Sequence, residues 1–116
     1  GVDAFHCSQR RFWEPEFDDS DMNLAGWVKK LTGMPTITVG SVSLDQDFVS
    51  QPSEGDGATS EPASIDRLLE MMDRGDFDLV AVGRALIANP DWPKVVRSGD
   101  TADLQPYNKD LLAELA

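Results

Sequence analysis

The stretch Phe77-Asp-Leu-Val-Ala-Val-Gly-Arg-Ala-Leu-Ile-Ala-Asn-Pro-Asp-Trp92 decides the fold. Its residues Leu79 to Val82 are continuously apolar, which is typical of a strand buried on both faces, as parallel strands are. Gly83-Arg84 and a short apolar turn over residues 85–88 come next. Asn89-Pro90 indicates the start of a helix, because asparagine caps helices and proline fits their first turn. The stretch therefore predicts a strand, a glycine turn and a helix in succession.

The same order of elements occurs upstream. Apolar residues at helical spacing predict amphipathic helices from about Asp21 to Thr32 and from about Ala63 to Arg74. Residues Ala4 to Cys7 and Thr36 to Val39 are expected to be strands, the second being rich in β-branched residues. Alternating strands and helices indicate an α/β fold with parallel strands and right-handed crossovers. Three strands leave both sheet edges open, which predicts either a part of a larger barrel or self-association through those edges.

The helix boundaries have their own signals. Ser20 or Asp21 is expected to cap the first long helix, and Gly33 fits the left-handed position after its end. Residues 49–63 are polar and rich in glycine, proline and serine, so we expect a mobile polar loop there. The apolar rhythm resumes unchanged after this loop, which predicts that residues 1–116 form a single segment rather than two domains.

The net charge of −11 disfavours nucleic acid and anionic membranes as partners. A single cysteine, Cys7, excludes an internal disulfide, so a cytoplasmic location is expected. No apolar run approaches the roughly 20 residues of a membrane span, and no signal peptide is visible. The chain begins with Gly1 rather than methionine, which suggests that it lost its start or is a piece of a longer protein.

Two strand ends predict a phosphate site. Gly40-Ser41 and Gly83-Arg84 each directly follow a predicted strand, and a glycine there allows the backbone to approach a ligand closely. The Arg84 guanidinium is suited to bidentate phosphate binding, and the short helical turn after it offers further N–H groups. In (β/α)8 barrels a phosphate often binds between the loops that follow the last two strands. The alternatives are ordinary structural glycines with an arginine paired to a carboxylate, or a site for another phosphorylated ligand such as a phosphosugar.

Four segments resemble the Old Yellow Enzyme family of NADH:flavin oxidoreductases (ene-reductases), and the similarity extends over nearly the whole chain apart from the polar insertion around Ser50 to Ser60. The stretches Thr36-Ile-Thr-Val-Gly-Ser-Val42 and Phe77 to Trp92 are similar to the family's last two barrel strands, and Leu104-Gln-Pro-Tyr-Asn108 to its tail. The opening, Gly1-Val-Asp-Ala-Phe-His-Cys-Ser8, resembles its sixth strand. The resemblance implies a C-terminal part, about strands six to eight, of a (β/α)8 TIM barrel.

The resemblance also implies a function. Gly83 and Arg84 would bind the FMN phosphate, and Gly40 and Ser41 would add contacts from the neighbouring turn. Such a flavoprotein takes hydride from NADH or NADPH and reduces an activated alkene, such as an α,β-unsaturated carbonyl compound. The family's catalytic tyrosine and its His-Asn or His-His pair come from earlier strands and have no counterpart here. We therefore expect no catalytic residue in this chain, which alone would be inactive.

Other candidate residues are interpreted more simply. His6 is expected to be a packed strand residue, and Tyr107 belongs to the tail. The acidic residues between Glu14 and Asp21 are typical of a solvated loop, and no metal site is predicted. Residues Arg10 to Trp13 could line a substrate entrance, bind another subunit or form an ordinary packed loop. A second hypothesis for the whole chain is a non-catalytic, half-barrel-like module that assembles through its open edges.

Overall fold

The computed structural model describes residues 1–45 and 59–115. Each predicted helix and strand of the α/β pattern is present near its expected position. The elements in chain order are β1 Phe5–Ser8, α1 Leu24–Thr32, β2 Thr36–Val39, β3 Thr59–Ser60, α2 Asp66–Asp73, β4 Leu79–Val80, α3 Arg84–Ala88, α4 Trp92–Ser98, β5 Tyr107–Asn108 and a 3-10 helix over Lys109–Leu115.

The main sheet has three parallel strands in the order β1-β2-β4. Phe5 pairs with Thr36, and Thr38 pairs with both Cys7 and Val80, so the strands are in register at their carboxyl ends. Since β1 and β2 are joined through α1, and β2 and β4 through α2, the chain is a mixed α/β unit with a parallel three-stranded sheet. The predicted parallel pairing is confirmed.

Helices cover one face of this sheet. The core there consists of buried residues from the sheet, the loop after β1, α1 and α2, namely Cys7, Phe12, Ala25, Val42, Leu68, Met71 and Phe77. Alternation along β1 explains the arrangement, because Cys7 is buried while His6 and Ser8, its neighbours on the opposite face, are exposed.

Among the described residues, no second layer covers the opposite face of the sheet. Leu79 on β4 is 58% exposed and pairs with Ile37, which is only half-buried. The prediction that the strand around Leu79 to Val82 is buried on both faces is therefore wrong for this chain. The apolar run is real, but the described residues supply no layer to cover its second face.

Helix α1 begins later than predicted. Its cap is Asn23, rather than Ser20 or Asp21, and the Asn23 Oδ1 accepts a 2.9 Å hydrogen bond from the Gly26 N–H. The Asn23 Nδ2 donates to the Phe12 carbonyl at 3.0 Å and to the Thr38 hydroxyl at 3.1 Å. Asn23 is fully buried, so it joins the loop after β1, the sheet and α1 in one place. Gly33 ends the helix with φ 69°, as expected.

Replacing Asn23 with alanine is expected to lower the free energy of unfolding by about 2–3 kcal/mol, because the cap is lost and a buried carbonyl loses its donor. The matched control is Ser20→Ala, which removes a hydroxyl that accepts the Met22 N–H. Chemical unfolding monitored by circular dichroism measures both changes. Equal effects of the two substitutions would contradict the assignment of Asn23 as the cap.

Asp78 ties α1 to the approach to β4. The Lys29 Nζ lies 2.7 Å from both carboxylate oxygens, and the Thr36 N–H donates to Oδ2 at 2.9 Å. The Lys29 ammonium and then the Thr36 N–H lower the pKa of Asp78 below its ordinary value. Because the folded pKa is lowered, the stability that ionised Asp78 contributes is present above the ordinary carboxyl pKa and is lost as the pH falls through the folded pKa.

We therefore expect Asp78→Asn to flatten the loss of stability on the acid side of pH 4 and to lower stability at neutral pH. The matched control is Asp73→Asn, which removes the same charge from an exposed position on α2. Thermal unfolding between pH 2 and 7 measures both effects. An unchanged slope below pH 4 in Asp78→Asn would show that this carboxylate is not coupled to folding.

A second, smaller sheet lies at the carboxyl end of the first. Thr59 and Ser60 of β3 pair antiparallel with Asn108 and Tyr107 of β5. Of the polar loop predicted over residues 49–63, residues 49–58 lie outside the described part of the chain. Its last residues are ordered differently from the expectation, because residues 59–60 form a strand and Leu44 forms a bridge with Pro62.

Asn89 does not cap α4, contrary to the sequence-based expectation. The residue before α4 is Asp91, and the buried Asn89 side chain turns towards the tail. Its Nδ2 donates to the Gln105 carbonyl at 3.0 Å, and its Oδ1 accepts from the Gln105 N–H at 2.8 Å. Asn89 thereby holds the segment leading to β5 against α3.

Candidate functional site: a cavity at the carboxyl ends of the strands

The four residues that the sequence predicts as a phosphate site all line one cavity. Gly40, Ser41, Gly83 and Arg84 line a cavity of about 470 Å³ at the carboxyl ends of β1, β2 and β4. Ser8, Gln9 and Arg10 form a further wall. Parallel strands end at the same edge of a sheet, which explains why turns that are distant in sequence meet here.

The turn after β2 has an unusual backbone. Gly40 has φ 139°, and Ser41 and Ser43 have φ values of 54° and 62°. A side chain at Gly40 would overlap the carbonyl oxygen of Gln9, so the turn and the loop after β1 are in direct backbone contact. The Phe12 N–H donates to the Gly40 carbonyl at 3.0 Å across this contact. Gly40 is therefore required by the fold itself, in addition to any role in binding.

Arg84 points towards the turn after β2. Its Nη2 donates to the Ser41 hydroxyl at 3.1 Å, and that hydroxyl donates to the Arg10 carbonyl at 2.8 Å. Its Nη1 donates to the Ser60 hydroxyl at 3.1 Å. The guanidinium thus lies at the junction of turns that follow β1, β2 and β4, in a chain whose net charge is −11.

Two residues at Arg84 were not expected from the sequence. Ser60 lies in the polar stretch predicted to be a loop, and it is fully buried. Tyr107 is 1% exposed, and its ring centroid lies 5.6 Å from the Arg84 Cζ, a cation–π contact. Serine in a polar run and tyrosine in a tail carry no local signal for such a role. Only the pairing of β3 with β5 brings them together.

Gly83 differs from Gly40 in its surroundings. In the part of the chain that the structure describes, an added Cβ at Gly83 would meet nothing within 4 Å, and the φ of −108° at this position is negative, unlike that of Gly40. The chain therefore needs no glycine at position 83 for its own packing. Gly83 also lines the cavity.

The remaining candidates are less suited to chemistry. His6 is exposed on the open face of the sheet, so its interpretation as a packed strand residue is wrong. Cys7 faces the core, and burial raises the pKa of its thiol, which favours the unreactive protonated form. Asp21 binds Arg74 at 2.8 Å and Arg67 at 3.3 Å, and the Arg74 guanidinium lowers the pKa of this carboxyl group.

Residues 10–13 follow β1 on the cavity side. Arg10 lines the cavity, whereas Phe12 is buried and meets Trp13 edge to face with ring centroids 5.1 Å apart. The packed-loop interpretation is therefore correct for Phe12, and the ligand-side interpretation remains a prediction for Arg10.

Within residues 1–45 and 59–115, no three side chains of the His, Cys, Asp and Glu types come together as a metal site. In the same part of the chain, no helix combines the length and apolar character needed to cross a membrane.

Comparison with known proteins gives one informative similarity. No family model matches the chain. The chain is 34% identical over 76 residues to a protein described as an NADH oxidase from Thermoanaerobacter brockii. These residues make up 66% of this chain but only 9% of that protein, so the chain spans about a tenth of the length of the relative it matches.

Proposed function

We propose that this chain is the C-terminal part, around strands six to eight, of an FMN-dependent NAD(P)H oxidoreductase with a (β/α)8 barrel of the Old Yellow Enzyme type. In this proposal the four cavity residues Gly40, Ser41, Gly83 and Arg84 bind the FMN phosphate. The observation that carries the proposal is the convergence of Arg84 with the turn after β2 in one cavity at the carboxyl ends of parallel strands.

The donor set fits a phosphate monoester. A phosphate near neutral pH is a strong acceptor with close to two negative charges, and arginine binds it through paired N–H groups. The cavity of about 470 Å³ is within the range of small-molecule sites. The empty space beside the Gly83 Cα is what a closely approaching phosphate needs, because a side chain there would occupy it. In an acidic chain, the Arg84 guanidinium supplies the local positive charge that an anion requires.

In such a protein the cofactor and the residues of this chain would have different roles. Bound FMN would supply the hydride chemistry, accepting hydride from NADH or NADPH and passing it to an activated alkene such as an α,β-unsaturated carbonyl compound. The residues of this chain hold and orient the phosphate end, and we propose no catalytic residue among them. The similarity to a protein named NADH oxidase supports the nicotinamide reductant.

The barrel is supported by the open face of the sheet. Strands of a closed (β/α)8 barrel have helices outside and packed side chains inside. Here α1 and α2 cover one face, while Leu79 and His6 remain exposed on the other. Neighbouring strands of a complete barrel would cover this second face and both edges of the sheet.

The absorbance of the purified intact protein tests the proposal. We expect a yellow protein that releases FMN on heating, identified by its mass. In the absence of oxygen, NADH or NADPH should bleach the yellow colour, and an α,β-unsaturated ketone should restore it. A colourless protein that binds no added FMN but does bind a sugar phosphate would favour the alternative phosphorylated ligand. Bleaching without recovery would limit the proposal to the flavin site and remove the alkene substrate.

One observation favours the second hypothesis, a module that assembles through its edges. The exposed Leu79 lies on β4, which is an edge strand of the three-stranded sheet. An apolar edge strand is a template for pairing with another chain. Light scattering gives the molar mass of the isolated chain in solution. A well-folded monomer would contradict assembly through the sheet edges.

A further inference from the structure

Ser60 and Tyr107 contact Arg84 together, and they are direct partners across the small sheet of β3 and β5. Ser60 accepts a 3.1 Å hydrogen bond from the Arg84 Nη1, and the Tyr107 ring lies beside the guanidinium. Both residues are buried, at 0% and 1% exposure. The two contacts therefore reach Arg84 from one pair of strands, and Tyr107 of that pair also packs with Ala85 of α3.

The contacts restrict different motions of the same side chain. The Ser60 hydroxyl fixes one guanidinium nitrogen, and the Ser41 hydroxyl fixes the other from a separate turn. The Tyr107 ring limits the positions that the guanidinium can take on one side. A free arginine loses about 2 kcal/mol of rotamer entropy when it is immobilised, and prior restraint reduces what is lost on binding.

Resting on the proposed function of the cavity, we propose that the Ser60–Tyr107 pair is a positioning unit that orients the Arg84 guanidinium for a phosphate before the ligand binds. Neither residue touches the ligand in this scheme. Their effect is on the arginine alone. In this scheme β3 and β5 hold Ser60 and Tyr107 against Arg84. Strands of two residues contribute little stability by themselves.

Substitutions at Tyr107 in the intact protein test this role. Tyr107→Leu removes the aromatic face but keeps an apolar side chain, and we expect FMN to bind the apoprotein about 10-fold more weakly, by quenching of flavin fluorescence. Tyr107→Phe keeps the face, so its affinity should be restored to within about 3-fold of the original. If Tyr107→Phe loses as much affinity as Tyr107→Leu, the aromatic contact does not position Arg84 and the proposal is overturned.

Ser60→Ala provides a second, smaller change should Tyr107→Leu fail to fold. It removes one acceptor from Arg84 and should weaken FMN binding about 3- to 10-fold. Unchanged affinity in Ser60→Ala would count against the positioning unit in the same way.

Crystal structures of the ligand-free variants separate this proposal from the proposed function. We expect the Arg84 guanidinium to keep its place in the original protein and in Tyr107→Phe, and to be displaced in Tyr107→Leu. That result would support positioning even if no variant, nor the original protein, binds FMN, in which case only the assignment of the ligand fails. An Arg84 side chain in the same place in Tyr107→Leu would overturn the positioning role, whatever binds in the cavity.

Discussion

Arg84→Ala is expected to weaken FMN binding to the intact protein about 100-fold, which corresponds to roughly 3 kcal/mol. The substitution removes the guanidinium that lies between the turns after β2 and β4. A charge-assisted hydrogen bond contributes about 1.5–3 kcal/mol, and an arginine can make two of them to one phosphate. The dissociation constant of FMN from the apoprotein, measured by titration, gives the effect directly.

Two control substitutions sharpen this measurement. Arg97→Ala removes the same charge from an exposed position on α4, outside the cavity, and should leave FMN affinity within about 2-fold. Arg84→Lys keeps the charge but loses the planar pair of donors, so an intermediate loss is expected. If Arg84→Ala retains FMN as tightly as Arg97→Ala, the guanidinium does not bind the phosphate.

Gly40→Ala is expected to lower the free energy of unfolding by about 3–5 kcal/mol, or to prevent folding. Two effects add in this variant. The φ of 139° is unfavourable for alanine, and the new Cβ would overlap the Gln9 carbonyl oxygen. Both the turn after β2 and the loop after β1 would have to move. Urea unfolding of the purified variant measures the loss.

Two other glycines give a graded comparison. Gly75→Ala places alanine at φ 85° with nothing within 4 Å, so it should show only the backbone cost of about 1–2 kcal/mol. Gly83→Ala lies in open space without a positive φ, and its stability should change by less than about 0.5 kcal/mol while FMN affinity falls. Equal destabilisation in Gly40→Ala and Gly75→Ala would mean that the close approach to Gln9 is not maintained in solution.

The sequence predicted the main sheet well because its signals are local. The β-branched run Thr36 to Val39 and the glycines that follow β2 and β4 identify the strands and their ends without reference to distant residues. The meeting of Gly40 with Arg84 also follows from a simple rule, since consecutive parallel strands end at one edge. The meeting of the two turns in one cavity was therefore predictable, whereas the contacts of Ser60 and Tyr107 with Arg84 were not.

The errors arose where tertiary contacts decide. Asn23 caps α1 because its side chain can also bond to Phe12 and Thr38, and neither partner is visible from the helix pattern. Asn89 resembles a cap in sequence but bonds to Gln105 instead. The burial predicted for Leu79 assumed a second covering layer, which the described residues do not include.

The Ser41 hydroxyl and the backbone contact at Gly40 join the segment after β1 to the segment that presents Arg84. As a result, an insertion or deletion between Ser8 and Phe12 would displace the Arg84 guanidinium, even where the inserted or deleted residue does not contact it. Asp18 is exposed and is not among the residues that line the cavity, so we expect insertions there to leave the guanidinium in place. A redesign of the cavity entrance should therefore keep the length of the chain from Gln9 to Phe12 and vary the exposed residues around Asp18.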